Sequence, residues 1–363
     1  MATSGRDPWL DNVKLTLVTL VVVGHSWTLL ASTDAQRQAY DFLYFWHIPA
    51  FVLITGYLSR SFSWNRRGFR SLVTTCVVPY VIFEAALYVL RSTLGENLDG
   101  PIWWVPHWAM WYLCVLLLWR LATPLLKRHP GWIPVSVVAS LLVGLIPGDE
   151  LALQRAVGLL PFFVVGLHLD RRALDALSAA WLKPVALAAF AWIWVVAGSM
   201  DDWGRSLFLL YDDSYAGLGW SAGTGMQVRL TVMAIGLLGA VAALILIPRG
   251  RSALTSLGSA SLVVYLFHTF VITAADHAGW GDLDAGHPML WMAVTTMLAI
   301  GLALGLASAP VARVLGPVVD PVAAWSSRLA ARRVGASDGR TPGGQDGSPG
   351  EGVEVGGLEP VRR

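Results

Sequence analysis

Ten apolar runs recur along this chain of 363 residues, and they decide what it can fold into. They fall at about 12–31, 42–59, 72–91, 108–126, 132–147, 152–169, 184–200, 226–247, 258–276 and 288–309. A helix that crosses the hydrocarbon core of a bilayer needs about 20 mostly apolar residues. The pattern therefore predicts an all-α, polytopic membrane bundle of about ten helices, with the fifth and sixth runs short for a span. Pro79 and Pro161 lie inside runs and are expected to kink them. Composition agrees. Hydrophobic residues make up 55% of the chain and charged residues 14%, and mean hydropathy is +0.57. A soluble domain carries roughly a quarter charged residues, so lipid must cover much of this surface. The 18 tryptophans suit the two membrane interfaces. A net charge of +2 gives no reason to expect a nucleic-acid partner. Cys76 and Cys114 each sit in an apolar run and read as small core residues, with no disulfide framework or CxxC metal site. Residues 1–10 are polar and no small-residue cleavage pattern follows the first run, so no cleavable signal peptide is expected.

The loops set the orientation. Arg60, Arg66, Arg67 and Arg70, then Lys127 and Arg128, then Arg171, Arg172 and Lys183, then Arg249 and Arg251 fall in one alternating set. The other set holds Arg37, no basic residue in 95–107, and Arg205 among Asp201, Asp202, Asp212 and Asp213. By the positive-inside rule the first set faces the cytoplasm, and ten spans place both termini there. The expected organisation is a cytoplasmic N-terminus (1–11), a transmembrane domain (12–310), a cytoplasmic amphipathic segment (311–334) and a disordered tail rich in Gly, Pro, Asp and Ser (335–363). There is no internal repeat, which weighs against an inverted-repeat carrier. The localisation expected is the plasma membrane; the sequence sets no oligomeric state.

Ionisable residues within spans are costly and point to function. Asp11, Lys14 and His25 share one face of the first helix. Asp11 and Lys14 lie at its cytoplasmic end, where a snorkelling pair is the alternative reading. His25 lies about 21 Å further along at 1.5 Å per residue, well inside the bilayer. His47 in the second helix, Glu84 in the third and His268 in the ninth reach similar layers, toward the outer half. Metal binding competes for the three histidines, but neither HxxxH nor HExxH spacing is present. The basic loop 60–70 is a topology signal; its arginines also have the chemistry of a phosphate clamp.

Several blocks resemble one family. Asp11-Asn12-Val13-Lys14 through Val21-Val22-Val23-Gly24-His25 looks like the opening of the acyltransferase-3 family of membrane O-acyltransferases, closest to its fucose 4-O-acetylase-like branch. Phe45-Trp46-His47-Ile48-Pro49-Ala50-Phe51 with Ile54-Thr55-Gly56-Tyr57 resembles that branch's FHxPxF…SGY block. Pro79-Tyr80, Trp111-Tyr112-Leu113, Leu160-Pro161-Phe162-Phe163 with Gly166, and Leu257-Gly258-Ser259-Ala260-Ser261 with Tyr265-Leu266-Phe267-His268 follow in order. Trp46, Thr55 and Lys14 depart from the usual Phe, Ser and Arg, and no extra soluble domain is visible.

The resemblance implies transfer of an acyl group, commonly acetyl, from cytoplasmic acyl-CoA to a hydroxyl of a sugar in a polysaccharide, lipid or secondary metabolite. Acyl-CoA is then a donor substrate, and no permanently bound cofactor or metal is expected. His25 aligns with the family's catalytic histidine, and the arginines after the second helix align with its donor-binding region. The expected roles are catalytic for His25, Glu84 and His47. Donor binding falls to Arg66, Arg67, Arg70 and Lys14, and substrate contact to Asp11, Tyr57, Tyr112 and His268. His25 would act as general base, Glu84 would orient a histidine or polarise the acceptor, and His47, Tyr57 or Tyr112 would donate to the thioester oxygen. The aromatic and acidic loop 200–222, with Trp203, Tyr211, Asp212, Asp213, Tyr215 and Trp220, has the mix that sugars favour, a mix also ordinary for an interface loop. A multi-pass exporter of a small metabolite or glycan is the rival reading.

Overall fold

The structure, a computed structural model, describes residues 7–322 except 31–32, 97, 99–100, 149, 253–254 and 285. Among the described residues every regular element is helical. The tail 335–363 and the second half of the segment 311–334 lie outside the described residues. The main helices are α1 (Pro8–Trp27), α2 (Asp34–Ser59), α3 (Arg66–Thr93), α4 (Trp108–Leu126), α5 (Trp132–Val143), α6 (Glu150–Gly158), α7 (Leu160–His168), α8 (Leu182–Gly198), α9 (Ala222–Leu246), α10 (Thr255–His277), α11 (Pro288–Ala307) and α12 (Ala309–Val319).

Helices occupy all ten predicted runs, but fewer than ten qualify as spans. Six, namely α2, α3, α4, α9, α10 and α11, are long and apolar enough to cross a membrane; α6 and α7, bent by 56° at their junction, make a seventh if counted as one. The shortfall has physical causes. Asp11, Asn12, Lys14 and His25 dilute the apolar character of α1. With 12 and 17 residues, α5 and α8 are shorter than the roughly 20 a span requires.

The most enclosed helix is α2, with 78% of its most apolar stretch buried. It starts in a capping box, where Thr33 and Gln36 exchange side-chain-to-backbone hydrogen bonds. It packs against α1, α7, α8 and α9. The tightest crossing is glycine on glycine. A Cβ on Gly56 would overlap the Phe163 carbonyl of α7, and one on Gly166 would overlap the Leu53 carbonyl of α2. Small residues at such a crossing let two backbones approach where lipid supplies no hydrophobic drive. Gly24 of α1 instead makes room for a side chain, the Tyr44 ring, which a Cβ would meet at 3.0 Å. The start of α1 is tied to the loop before α10. Asn12 Nδ2 donates to the carbonyls of Pro248 and Gly250 at 2.8 and 3.0 Å, and Asn12 Oδ1 accepts from Thr255 at 2.8 Å.

The expected irregularity at Pro79 takes the form of a π-helical turn, Val73–Val77, inside α3. Pro79 has no N–H for the carbonyl four residues back, so the regular ladder fails there. The wider turn absorbs the defect; such bulges concentrate at functional sites.

Candidate active site

His25 and His268 meet in the bundle. His25 Nδ1 lies 2.9 Å from His268 Nε2, the rings being 5.1 Å apart. His268 is fully buried, and its Nδ1 lies 3.1 Å from the Val264 carbonyl oxygen one turn earlier. A carbonyl only accepts, so His268 Nδ1 carries a proton and donates it there. In a neutral ring the other nitrogen, Nε2, is then bare and accepts from His25 Nδ1–H. The chain of hydrogen bonds ends at His25 Nε2, which is left with a free lone pair. The sequence placed both histidines at depth; the structure adds that they touch.

The His25 ring lies 4.6 Å from the ring of Trp108, whose backbone is left-handed at φ 37°. A bulky residue holds that conformation only under constraint. Glu84 supplies part of it. Its carboxylate accepts the backbone N–H of His107 through both oxygens, at 3.0 and 3.1 Å. Arg91 Nη1 donates to His107 Nδ1 at 2.8 Å, which requires a neutral imidazole. Burial first, then the Arg91 charge, pushes the His107 pKa down to about 4, against the opposing charge of Glu96. Glu84 therefore makes no hydrogen bond to His25 or His268 among the described residues; it braces the turn that presents Trp108.

Three cavities lie in series past His25, and His268 borders none of them. The largest, about 500 Å³, is bordered by Lys14, Thr55, Thr75, Tyr112, Arg120 and Tyr265 among others. A constriction of about 20 Å³ shares Phe51, Tyr112 and Tyr265 with it and adds His25. A third cavity, about 240 Å³, shares His25, Ile48, Ala109 and Trp111 with the constriction. It is also lined by Tyr40, Tyr44, Trp108, Arg155 and Asp212. His25 thus stands between a cavity toward the basic loops and one toward the acidic loop.

Other expected site residues distribute unevenly. Tyr112 lines the large cavity and the constriction, its hydroxyl 2.6 Å from that of Thr55. Lys14 lines the large cavity and pairs with Asp11 at 2.6 Å; Asp11 itself lines none of the three. His47 is buried, with Nδ1 2.7 Å from the Leu43 carbonyl, and lines none of them either. Its Nε2 has no hydrogen-bond partner among the described residues, and Tyr44 packs edge-on against its ring at 4.6 Å. Tyr57 carries the Arg60 guanidinium over its ring at 3.8 Å, away from the three cavities. Arg66, Arg67 and Arg70 are exposed near the start of α3 and border none of the three. The placement gives the large cavity Lys14 and Arg120 as its cations instead.

Of the aromatic and acidic residues singled out in 200–222, Asp212 alone lines the third cavity, paired with Arg155 at 2.6 Å. Tyr211 and Tyr215 are buried around Arg229, whose guanidinium lies 5.5 and 5.0 Å from their rings. Sequence reasoning missed Trp108, Arg120 and Arg155. The two arginines carried a usable signal, since each is a charge inside an apolar run. Trp108 carried none, because its importance lies in a turn.

Comparison with known proteins adds the remaining observations. A family profile described as an acyltransferase domain matches residues 7–309. Nodulation protein NolL of Sinorhizobium fredii is 25% identical over 331 residues, covering 83% of this chain and 86% of that protein. Nodulation protein NolL of Mesorhizobium japonicum is 25% identical over 247 residues, covering 59% of this chain and 62% of that protein. No solved structure matches.

Proposed function

The chain belongs to the acyltransferase-3 family and is a membrane acyltransferase, and from that premise we propose that it moves an acyl group, acetyl by preference, from cytoplasmic acyl-CoA to a hydroxyl of a carbohydrate or glycosylated metabolite. The observation that carries this reading is the His25–His268 pair at the narrow point between two cavities on opposite sides. Positive-inside bias assigns the large cavity to the cytoplasm and the acidic-loop cavity to the outer face of the plasma membrane. The thioester enters from the first, the acceptor from the second.

An alcohol attacks a thioester slowly unless a base takes its proton as the new bond forms. The bare Nε2 of His25 is that base. As the acceptor oxygen bonds to the carbonyl carbon, its proton passes to His25 Nε2. The C–S bond then breaks, and the proton returns to the departing thiolate, so the enzyme ends as it began. Charge on the thioester oxygen in the transition state needs a donor in the constriction. Of the three candidates expected for that role, Tyr112 lines it, while His47 and Tyr57 do not.

The outer cavity suits a sugar. Tyr40, Tyr44, Trp108 and Trp111 offer flat faces for C–H groups, and Arg155 with Asp212 offers polar partners for hydroxyls. The test is turnover. Purified protein in nanodiscs with radiolabelled acetyl-CoA should show slow thioester hydrolysis without an acceptor and faster loss with a suitable glycan. His25→Ala should bind donor normally and lose about 10²- to 10⁴-fold in rate, the usual contribution of a positioned base. Full transfer activity in His25→Ala sinks the assignment. Glycan flux without acyl-CoA consumption points to an exporter.

A further inference from the structure

Arg120 stands in the interior of α4, about 9 Å from the helix end at Leu126 at 1.5 Å per residue. It is half-buried and faces the large cavity. A guanidinium cannot shed its proton, so at this depth it needs an anionic or strongly polar partner. It donates from Nη1 to the Thr75 hydroxyl at 2.8 Å, and among the described residues no carboxylate pairs with it. Every other intramembrane cation around the three cavities has an acidic partner: Lys14 has Asp11, and Arg155 has Asp212.

Thr75 reaches the same cavity from the π-helical turn of α3. An inserted residue turns one half of a helix by about 100° relative to the other. The irregular turn is thus what sets Thr75, rather than a neighbour, beside Arg120. Thr55, Ser259 and Ser261 add hydroxyls to the cavity wall. Two cations and a set of hydroxyls are thus set into the wall of an otherwise largely apolar cavity of about 500 Å³ between helices.

We propose that Arg120, held by Thr75 and joined by Lys14, binds an anionic phosphate ester within this cavity, and that the ester is the diphosphate of the acyl donor. The proposal rests on the donor reading given above. Lys14 and His25 lie on the same helix, eleven residues and about 16 Å apart along its axis. A diphosphate at Lys14 and Arg120 leaves a flexible diamide arm to run past Tyr112 and Tyr265, with its thioester at the constriction beside His25. The exposed Arg66, Arg67 and Arg70 then act from outside, raising the local concentration of an anionic donor at the mouth.

A phospholipid headgroup presents the same phosphate chemistry, so the test separates the two. Full-length protein is placed in phosphatidylcholine nanodiscs, and affinities are measured for acetyl-CoA and for acetyl-pantetheine, which keeps the arm and thioester but has no phosphate. The wild type should bind acetyl-CoA more tightly. Arg120→Gln should weaken acetyl-CoA at least tenfold and leave acetyl-pantetheine unchanged, which also shows that the variant is folded. Arg120→Lys should recover part of the loss, and Thr75→Val should show a smaller loss for acetyl-CoA alone. Equal weakening of both ligands, or of neither, overturns the proposal. Unchanged acetyl-CoA binding with loss of co-purified anionic lipid assigns the site to a headgroup and overturns it too. A wild type that binds no acyl-CoA overturns the donor reading itself, an outcome visible before any variant is made.

Discussion

Two imidazoles in contact inside a bilayer repel each other once both are charged, yet they form a good hydrogen bond when both are neutral. The Val264 carbonyl decides which neutral form is present, because it demands the Nδ1 proton of His268. His268 is therefore a positioning residue: it receives the His25 Nδ1 proton and keeps the opposite nitrogen bare. His268→Leu should lower kcat by about 10- to 100-fold, the usual cost of losing an orienting partner. The KM for donor should stay within twofold. His268→Gln, whose side-chain oxygen can accept the same proton, should recover most of the rate. If Leu and Gln variants fall equally in steady-state acetyl transfer, the tautomer is not what His268 provides. Much of this was legible residue by residue, because histidines are too costly in lipid to be idle. The pairing was not legible, because depth along a helix carries no lateral information. Arg120 obeyed the rule that flagged His25 and was passed over as part of an apolar run. Tyr57, drawn in by its motif, turns out to brace Arg60.

At the level of helices, the catalytic arrangement depends on α2 sitting close to its neighbours. Gly56 and Gly166 bring the backbones of α2 and α7 into contact, and α2 contributes Phe51 and Thr55 to the large cavity. Gly56→Val forces the helices apart at a point where only main chain is available to yield. Overpacking of this kind costs about 1–3 kcal/mol, and backbone collision lies at the upper end. We expect a thermal midpoint lowered by several degrees in fluorescence-detected size exclusion, with activity lost in proportion. Gly301→Val is the control. Nothing lies within 4 Å of a Cβ on Gly301, so stability should be unchanged. Equal tolerance at both positions would mean that the crossing is looser than the structure has it. Helices were readable from the sequence as runs of apolar residues, and the π-helical turn was foreshadowed by Pro79. The span count was not, because run length measures hydrophobicity and says nothing of where a chain such as α5 stops.

Over the whole molecule, basic and acidic loops sit at opposite ends of the predicted spans, and the two large cavities follow the same division. That asymmetry matters only if the ends face different compartments. The two native cysteines, Cys76 and Cys114, are both buried, which makes them a quiet background for labelling with an impermeant maleimide. With both changed to Ala, a single cysteine is placed at Asp202, exposed on the acidic side, or at Arg67, exposed on the basic side. Asp202→Cys should label in intact cells, and Arg67→Cys only after the membrane is opened. Labelling of both from outside, or the reverse order, would remove the basis for donor entry from the cytoplasm. The expected order has a chemical consequence. Donor and acceptor then never share a compartment; they meet only at the constriction, where His25 is the one imidazole common to both approaches. A narrow meeting point also limits hydrolysis, because a thioester held there meets bulk water only through the acceptor cavity. Filling that cavity with a glycan should therefore raise transfer and suppress hydrolysis together, whereas a donor open to water on its own side would hydrolyse at the same rate with or without the glycan.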